Sequence, residues 1–293
     1  MIGIGGIAYD ILIEVDQFPC VDGKVIASGS TRTPGGFISN TVCAAAELGL
    51  SAGYVGWIGD DDGGKLLTDD FVQRGVDVTA LETVPDAETP YTVILVTPDG
   101  DRSIVVPPSP LHNHEMSAAQ VNRLNKARVI YTYPRSVSWC QQIAHKVHSH
   151  GGLFALDIEA YISLPPDELE TIVALTDVLF IAPSIRERMG MAQPDDLQAR
   201  GWIIETHGAA GATGYDSQTN TRSHVPALSV PVVDTTGAGD CFHAAVIAAR
   251  LWGYGLQQAL TFATAAAAIS IQYTGARSGL PTKEQVEALI DGT

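Results

Sequence analysis

Positive charge is scarce in this chain. Its 293 residues include 17 Lys and Arg against 33 Asp and Glu, a net charge of −16 with histidine neutral. That balance argues against a nucleic acid or an anionic membrane as partner, since either would need a basic stripe. A small anionic ligand stays open, because backbone amides and a few arginines can hold one. Cysteine is scarce as well: Cys20, Cys43, Cys140 and Cys241 are scattered with no CxxC spacing. They read as reduced thiols of a cytoplasmic protein rather than as disulfides or metal ligands. No charged-then-apolar leader opens the chain, so no secretory signal is expected. Long apolar runs are missing too, the longest being FATAAAAISI at 262–271, too short to cross a bilayer.

What is present is enough for a sizeable core. Apolar residues make up 45% and charged residues 17%, which excludes a disordered chain. The length suits one large α/β domain with an insertion, or two domains. No internal repeat or low-complexity linker divides it. MIGIGGIAYDILIEVDQFP starts as a buried strand and then alternates at Ile11, Ile13 and Val15. STRTPGGFISNTVCAAAELGL reads as a turn and an amphipathic helix, and GGKLLTDDFVQRGV as another helix. TPYTVILVTPDGDRSIVVPP predicts a hairpin turning at Asp99-Gly100. From about residue 117 helices alternate with short apolar strands: ARVIYTY, LFALDIE, VLFIAPS and WIIETHG. That alternation predicts a mostly parallel sheet with helices on both faces. Ligands then sit beyond the carboxyl ends of the strands, where Asp10, Asp60, Asp157, Ser184, Thr206 and Asp240 fall.

The most informative stretch is VVDTTGAGDCFHAAVIAARLWG, at 232–253. Gly237, Ala238 and Gly239 before a long apolar run make a tight turn opening a helix, a place where free amides and the helix dipole hold an anion. Asp240 would repel that anion unless it faces something else. Transfer of a phosphoryl group to a hydroxyl resolves the conflict: the amides face the phosphate, while the carboxylate takes the hydroxyl proton. A plain helix N-terminus with Asp240 stabilising the dipole is the alternative.

The wider pattern resembles the ribokinase-like (PfkB) carbohydrate kinases. VDTTGAGDCF is similar to their C-terminal signature, and GGFISNTVCAAAELG at 35–49 to their N-terminal one. GWIGDDDGGKLL, RGVDV, DGDR and THGAAGA follow in the family's order, over nearly the full length. The resemblance implies a three-layer α/β fold with a small β-sheet lid. Residues 1–10, 35–87 and 109–293 would form the core, and 11–34 with 88–108 the lid. It implies ATP and Mg²⁺ as cofactors, a monovalent cation such as K⁺, and Asp240 as catalytic base over the anion hole of Gly237, Ala238 and Gly239. Asp10 and Asn40 would bind the sugar, Gly35 and Gly36 form the hinge, and Thr206, Gly208 and Gly211 the ATP loop. Asp234, Thr236, Gly275 and Ser278 would hold the monovalent cation. Glu187 remains from the family's N-x-x-E element, where Ser184 replaces the asparagine, and would reach Mg²⁺ through water. Asp157 and Glu159 would face the metal or cap their strand. His243 has no assigned role beyond packing on its helix.

Arg102 and Arg135 are the basic groups expected at the acceptor. The resemblance is nearest the ketohexokinase and sulfofructose-kinase side, which makes a ketose or a ketose derivative the first expectation. A nucleoside kinase is the alternative within the enzymes, and a non-catalytic sugar-binding protein the alternative outside them. GIGGIAYD lacks a full G-x-G-x-x-G and no helix follows it, which speaks against a dehydrogenase. Apolar lid strands bearing Ile11, Ile13, Val93 and Leu95 predict a homodimer through the lid.

Overall fold

The computed structural model describes residues 1–158 and 164–292; Glu159 lies outside them. The first half runs β1 (Ile2–Ile4), β2 (Ala8–Glu14), β3 (Gly29–Gly35), α1 (Phe37–Glu47), β4 (Gly53–Gly59), α2 (Asp62–Gln73) and β5 (Asp77–Val84). A hairpin of β6 (Tyr91–Val96) and β7 (Arg102–Val105) follows, then α3 (Ala118–Arg123). Strands and helices then alternate through β8 (Val129–Thr132), α4 (Val137–His148), β9 (Leu153–Ile158), α5 (Pro166–Val173), β10 (Val178–Ile181) and α6 (Pro183–Arg188). Last come β11 (Trp202–Thr206), β12 (Ala212–Asp216), β13 (Thr221–Val225), α7 (Ala238–Leu251), α8 (Leu256–Ser270) and α9 (Lys283–Asp291).

The large sheet has the order β13-β12-β11-β10-β9-β8-β1-β4-β5. It is parallel from β11 to β5, and only β12 and β13 run antiparallel at one edge. Each buried strand supplies both faces, as the two-residue period requires. Val129 and Tyr131 pack with α1, α7 and α8, whereas Ile130 packs on the opposite face with α4. The result is three layers with an apolar core on each side of the sheet. Alanines let α7 and α8 lie close: Ala244, Ala248, Ala259, Ala263 and Ala266 are all fully buried. Strand β1 is flanked by β4 and by β8, so the strand order reverses there and opens a crevice beyond the carboxyl ends.

The smaller sheet has the order β3-β2-β6-β7. It begins at Ala8, three residues before the sequence reading placed it. Gly5 and Gly6, with φ of 73° and 64°, turn the chain out of the large sheet just after Ile4. The hairpin turn falls at Gly100, with φ 86°, as its Asp-Gly signal predicts. No helix among the described residues is long and apolar enough to cross a membrane. All four cysteines are free. Burial pushes the thiols of Cys43 and Cys241 up to about 12, which keeps both protonated and unreactive.

Candidate active site

The floor of the site is the N-terminus of α7. Gly237 has φ 74°, and a side chain there would meet Ala276 at 2.7 Å, so only glycine makes this turn. Its carbonyl accepts from the Cys241 amide at 2.9 Å, the first bond of the helix. The Ala238 amide lies 3.2 Å from the Thr235 carbonyl, so that part of the expected anion hole already has an acceptor. Gly239 differs from both. A Cβ added to it would meet nothing within 4 Å, and it opens onto a cleft of about 620 Å³.

The same cleft is lined by Thr206, Gly208 and Gly211 and, across from them, by Phe242 and Thr264. Its size lies within the usual range for small-ligand sites. Thr206 ends β11 opposite Ala212, and Gly208 and Gly211, with φ of 54° and 93°, turn the chain between them. At Gly211 a side chain would strike the Val225 carbonyl at 2.0 Å, whereas at Gly208 it would meet nothing. The Thr264 hydroxyl is buried at the cleft without a hydrogen-bond partner, an unmet need that a polar ligand would satisfy. The loop and the helix start, read as separate motifs, therefore share one cavity.

On the other side of Asp240 the two signatures meet. Asn40, on α1, donates from Nδ2 to Asp240 Oδ2 at 2.8 Å across 200 residues of chain. Asp10, on β2, accepts from the Thr92 hydroxyl. Burial pushes its carboxyl above the usual 3.8, against the pull of that bond and of the Arg277 charge. Gly35 is glycine because Asp10 rests on it: an added Cβ would lie 2.2 Å from the carboxylate. Gly36, at φ 88°, would collide with the Gly6 carbonyl at 2.5 Å. The di-glycine thus brings the start of α1, the turn after β1 and Asp10 into contact.

Three expected ligands stand differently. Arg102 pairs with Asp234 and donates to Thr236, so it clamps the smaller sheet to the core loop before α7 instead of facing the acceptor. Asp234 also accepts from the Thr236 amide at 2.9 Å and the Gly275 amide at 2.8 Å. Burial would raise its carboxyl, but these bonds outweigh it and hold the group down at about 2. With a guanidinium on this carboxylate, the arrangement does not fit a monovalent cation, although Gly275 and Ser278 lie beside it. Arg135 stacks on the Trp139 ring at 5.0 Å, in the first turn of α4.

The expected divalent-ion groups are thinly spread. Glu187 is 69% exposed on α6 and lies 3.9 Å from its neighbour Arg186, whose guanidinium is buried against Glu205 at 2.5 Å. Asp157 is buried and accepts from the Tyr131 hydroxyl at 3.0 Å. His243 lies 3.3 Å from the same carboxylate and stacks on Phe180 at 3.9 Å, which accounts for a histidine on a buried helix. Among the described residues no three His, Cys, Asp or Glu cluster as a metal site. Such a donor set fits Mg²⁺ held mainly by nucleotide phosphates and water, since that ion needs few protein ligands.

Sequence reasoning missed Arg277. It is 5% exposed, and it donates to Asn40 Oδ1 at 2.8 Å and to the Gly35 carbonyl at 2.9 Å. Its only signal was an arginine between small residues in GARSG, a stretch read as a cation loop.

The start of α7 thus opens on a cleft of about 620 Å³ at Gly239, while the next residue, Asp240, is bonded to Asn40. The profile of the pfkB family carbohydrate kinases matches residues 3–283. The chain is 28% identical to the ATP-dependent ribose-1-phosphate kinase of Halopiger xanaduensis, over 99% of its length and 97% of the relative's. It is also 28% identical to the ribokinase of Bacillus subtilis, over 98% of both chains. The structure of Arabidopsis thaliana ribokinase complexed with ribose and ATP superposes with a TM-score of 0.86 at 24% identity, over 99% of this chain and 97% of the other. This chain belongs to the pfkB family: it is an ATP-dependent carbohydrate kinase of the ribokinase-like fold.

Proposed function

We propose that the protein transfers the γ-phosphoryl group of ATP to a hydroxyl of a small sugar, with Asp240 as the base. The observation that carries this reading is the placing of Gly239 and Asp240 on one helical turn, between the nucleotide-sized cleft and the Asn40–Asp10 group. ATP lies in the cleft between the 206–211 loop and α8, its phosphates toward Gly239. The sugar sits against Asp10, Asn40 and Asp240. Its hydroxyl loses the proton to Asp240 as the oxygen bonds to the γ-phosphorus, and the bond to the bridging oxygen breaks to release ADP. The helix start at Gly239, open to the cleft, stabilises charge developing on the transferred group. Mg²⁺, brought by the nucleotide, would neutralise phosphate charge, with Glu187 reaching it through water. A monovalent cation has no step here.

The sequence favours a ketose acceptor, while the two relatives act by name on ribose and on ribose 1-phosphate, so the test spans these classes. Purified protein is given ATP and Mg²⁺ with ketoses, aldoses, sugar phosphates and nucleosides in turn, and phosphorylated product is followed with ADP. A sugar phosphorylated in step with ADP release is expected; a nucleoside as the only acceptor would overturn the sugar assignment. The smaller sheet is proposed to close over the sugar by bending at Gly35 and Gly36. Its half-buried Ile11, Ile13, Val93 and Leu95 pair across β2 and β6, and a second copy would cover them in a cytoplasmic homodimer. A monomeric mass at micromolar concentration would rule the dimer out.

A further inference from the structure

The buried Arg277 guanidinium has more partners than its charge requires. Asp70, on α2, neutralises it, and Arg74 holds that carboxylate in place at 3.1 Å. The remaining donors go elsewhere: Nε to Asn40 Oδ1 at 2.8 Å, and Nη2 to Ser39 Oγ at 2.8 Å and to the Gly35 carbonyl at 2.9 Å. The Nε bond decides which way the Asn40 carboxamide faces. Its oxygen is committed to a cation, so its NH₂ must point at Asp240, where it donates at 2.8 Å. Turned over, the amide would set its carbonyl oxygen against a carboxylate and lose both bonds.

We propose that Arg277 is a positioning residue: it fixes the Asn40 carboxamide so that Asp240 is held with its reactive geometry, and it ties both to the turn at Gly35. This rests on the reading of Asp240 as the base. A lysine could satisfy Asp70 but cannot serve Asn40, Ser39 and Gly35 with one planar fork.

Arg277→Lys should lower kcat by about tenfold or more while the KM for ATP stays within about twofold. Adding Asn40→Ala should then lower kcat little further, because both changes break the same hold on Asp240, while the lost sugar contact of Asn40 shows in the KM for the sugar. Asp70→Asn weakens the same buried pair without touching Asn40, so it should lower the melting temperature yet retain more kcat than Arg277→Lys. A crystal structure of Arg277→Lys should show the carboxamide turned from Asp240, a readout that does not need activity. Wild-type kcat in Arg277→Lys, additive losses of kcat with Asn40→Ala, or an unmoved carboxamide would overturn the proposal. Should Arg277→Lys not fold, Asp70→Asn decides: a kcat lost in proportion to stability means the arginine is only structural. Absence of transfer by the wild-type protein would instead refute the kinase chemistry, with the carboxamide result standing apart.

Discussion

Gly239 is a glycine that neither its backbone angles nor its neighbours require. It lies in the first turn of α7 without a positive φ, and an added Cβ would meet nothing within 4 Å. In a helix, glycine costs roughly 0.5–1 kcal/mol relative to alanine, so its presence over a cleft points to a ligand that approaches the backbone. Gly239→Val should therefore leave the melting temperature within a few degrees while raising the KM for ATP about tenfold or more. Asp10→Ala should do the reverse, weakening the sugar by roughly 1–3 kcal/mol, as expected for a buried hydrogen bond left unmade, with ATP hardly affected. Steady-state kinetics with each substrate varied in turn checks the pair. Equal losses for sugar and ATP in either variant would mean that the two sides of the site are wrongly divided. The sequence could name these residues, because short motifs carry their own local geometry. It could not name Arg277, whose partners lie 207 to 242 residues away.

At the scale of elements, the hydrophobic period located the parallel strands and their helices, since strands such as β8 and β10 are buried at every residue and mostly apolar. Edge elements were harder to read. β13, TRSHV, is largely exposed and polar, and β5 mixes acids with apolar residues, so neither carries a clean period. The start of the smaller sheet was misplaced because the turn at Gly5 and Gly6 joins two strands that look like one. Between the sheets, Asp61 caps α2 through the Gly64 amide at 2.8 Å and accepts from the Thr89 amide at 2.9 Å, just before β6. Burial raises its carboxyl, but these bonds and the Thr89 hydroxyl outweigh it and hold the group below 3.8. As pH falls the unfolded chain takes up this proton first. The contribution is therefore complete above the ordinary aspartate value and is lost as pH drops through the lower folded value. Denaturant unfolding of wild type and Asp61→Asn should give a stability gap that is widest near neutrality and narrows below about pH 4. A gap constant down to pH 3 would show that the cap does not depend on the charge.

Over the whole molecule, the two ends of the chain build one site: α1 supplies Asn40, α7 supplies Asp240, and the loop between α8 and α9 supplies Arg277 to hold them together. The sequence signatures marked both ends, yet only the packing of α1 on α7 and the strand reversal at β1 show why they must meet. The charge clamp of Arg102 on Asp234 was invisible beforehand, because it joins a strand of one sheet to a loop of the other. The claim on which everything else depends is that Asp240 moves the hydroxyl proton during transfer from ATP. The direct measurement is the turnover of Asp240→Asn on the best acceptor, with ATP affinity determined in parallel. Turnover should fall by roughly 10²–10⁴, the usual weight of a general base, while ATP binds as well or slightly more tightly. Near-full turnover in Asp240→Asn would make the aspartate a helix-stabilising group and contradict the mechanism.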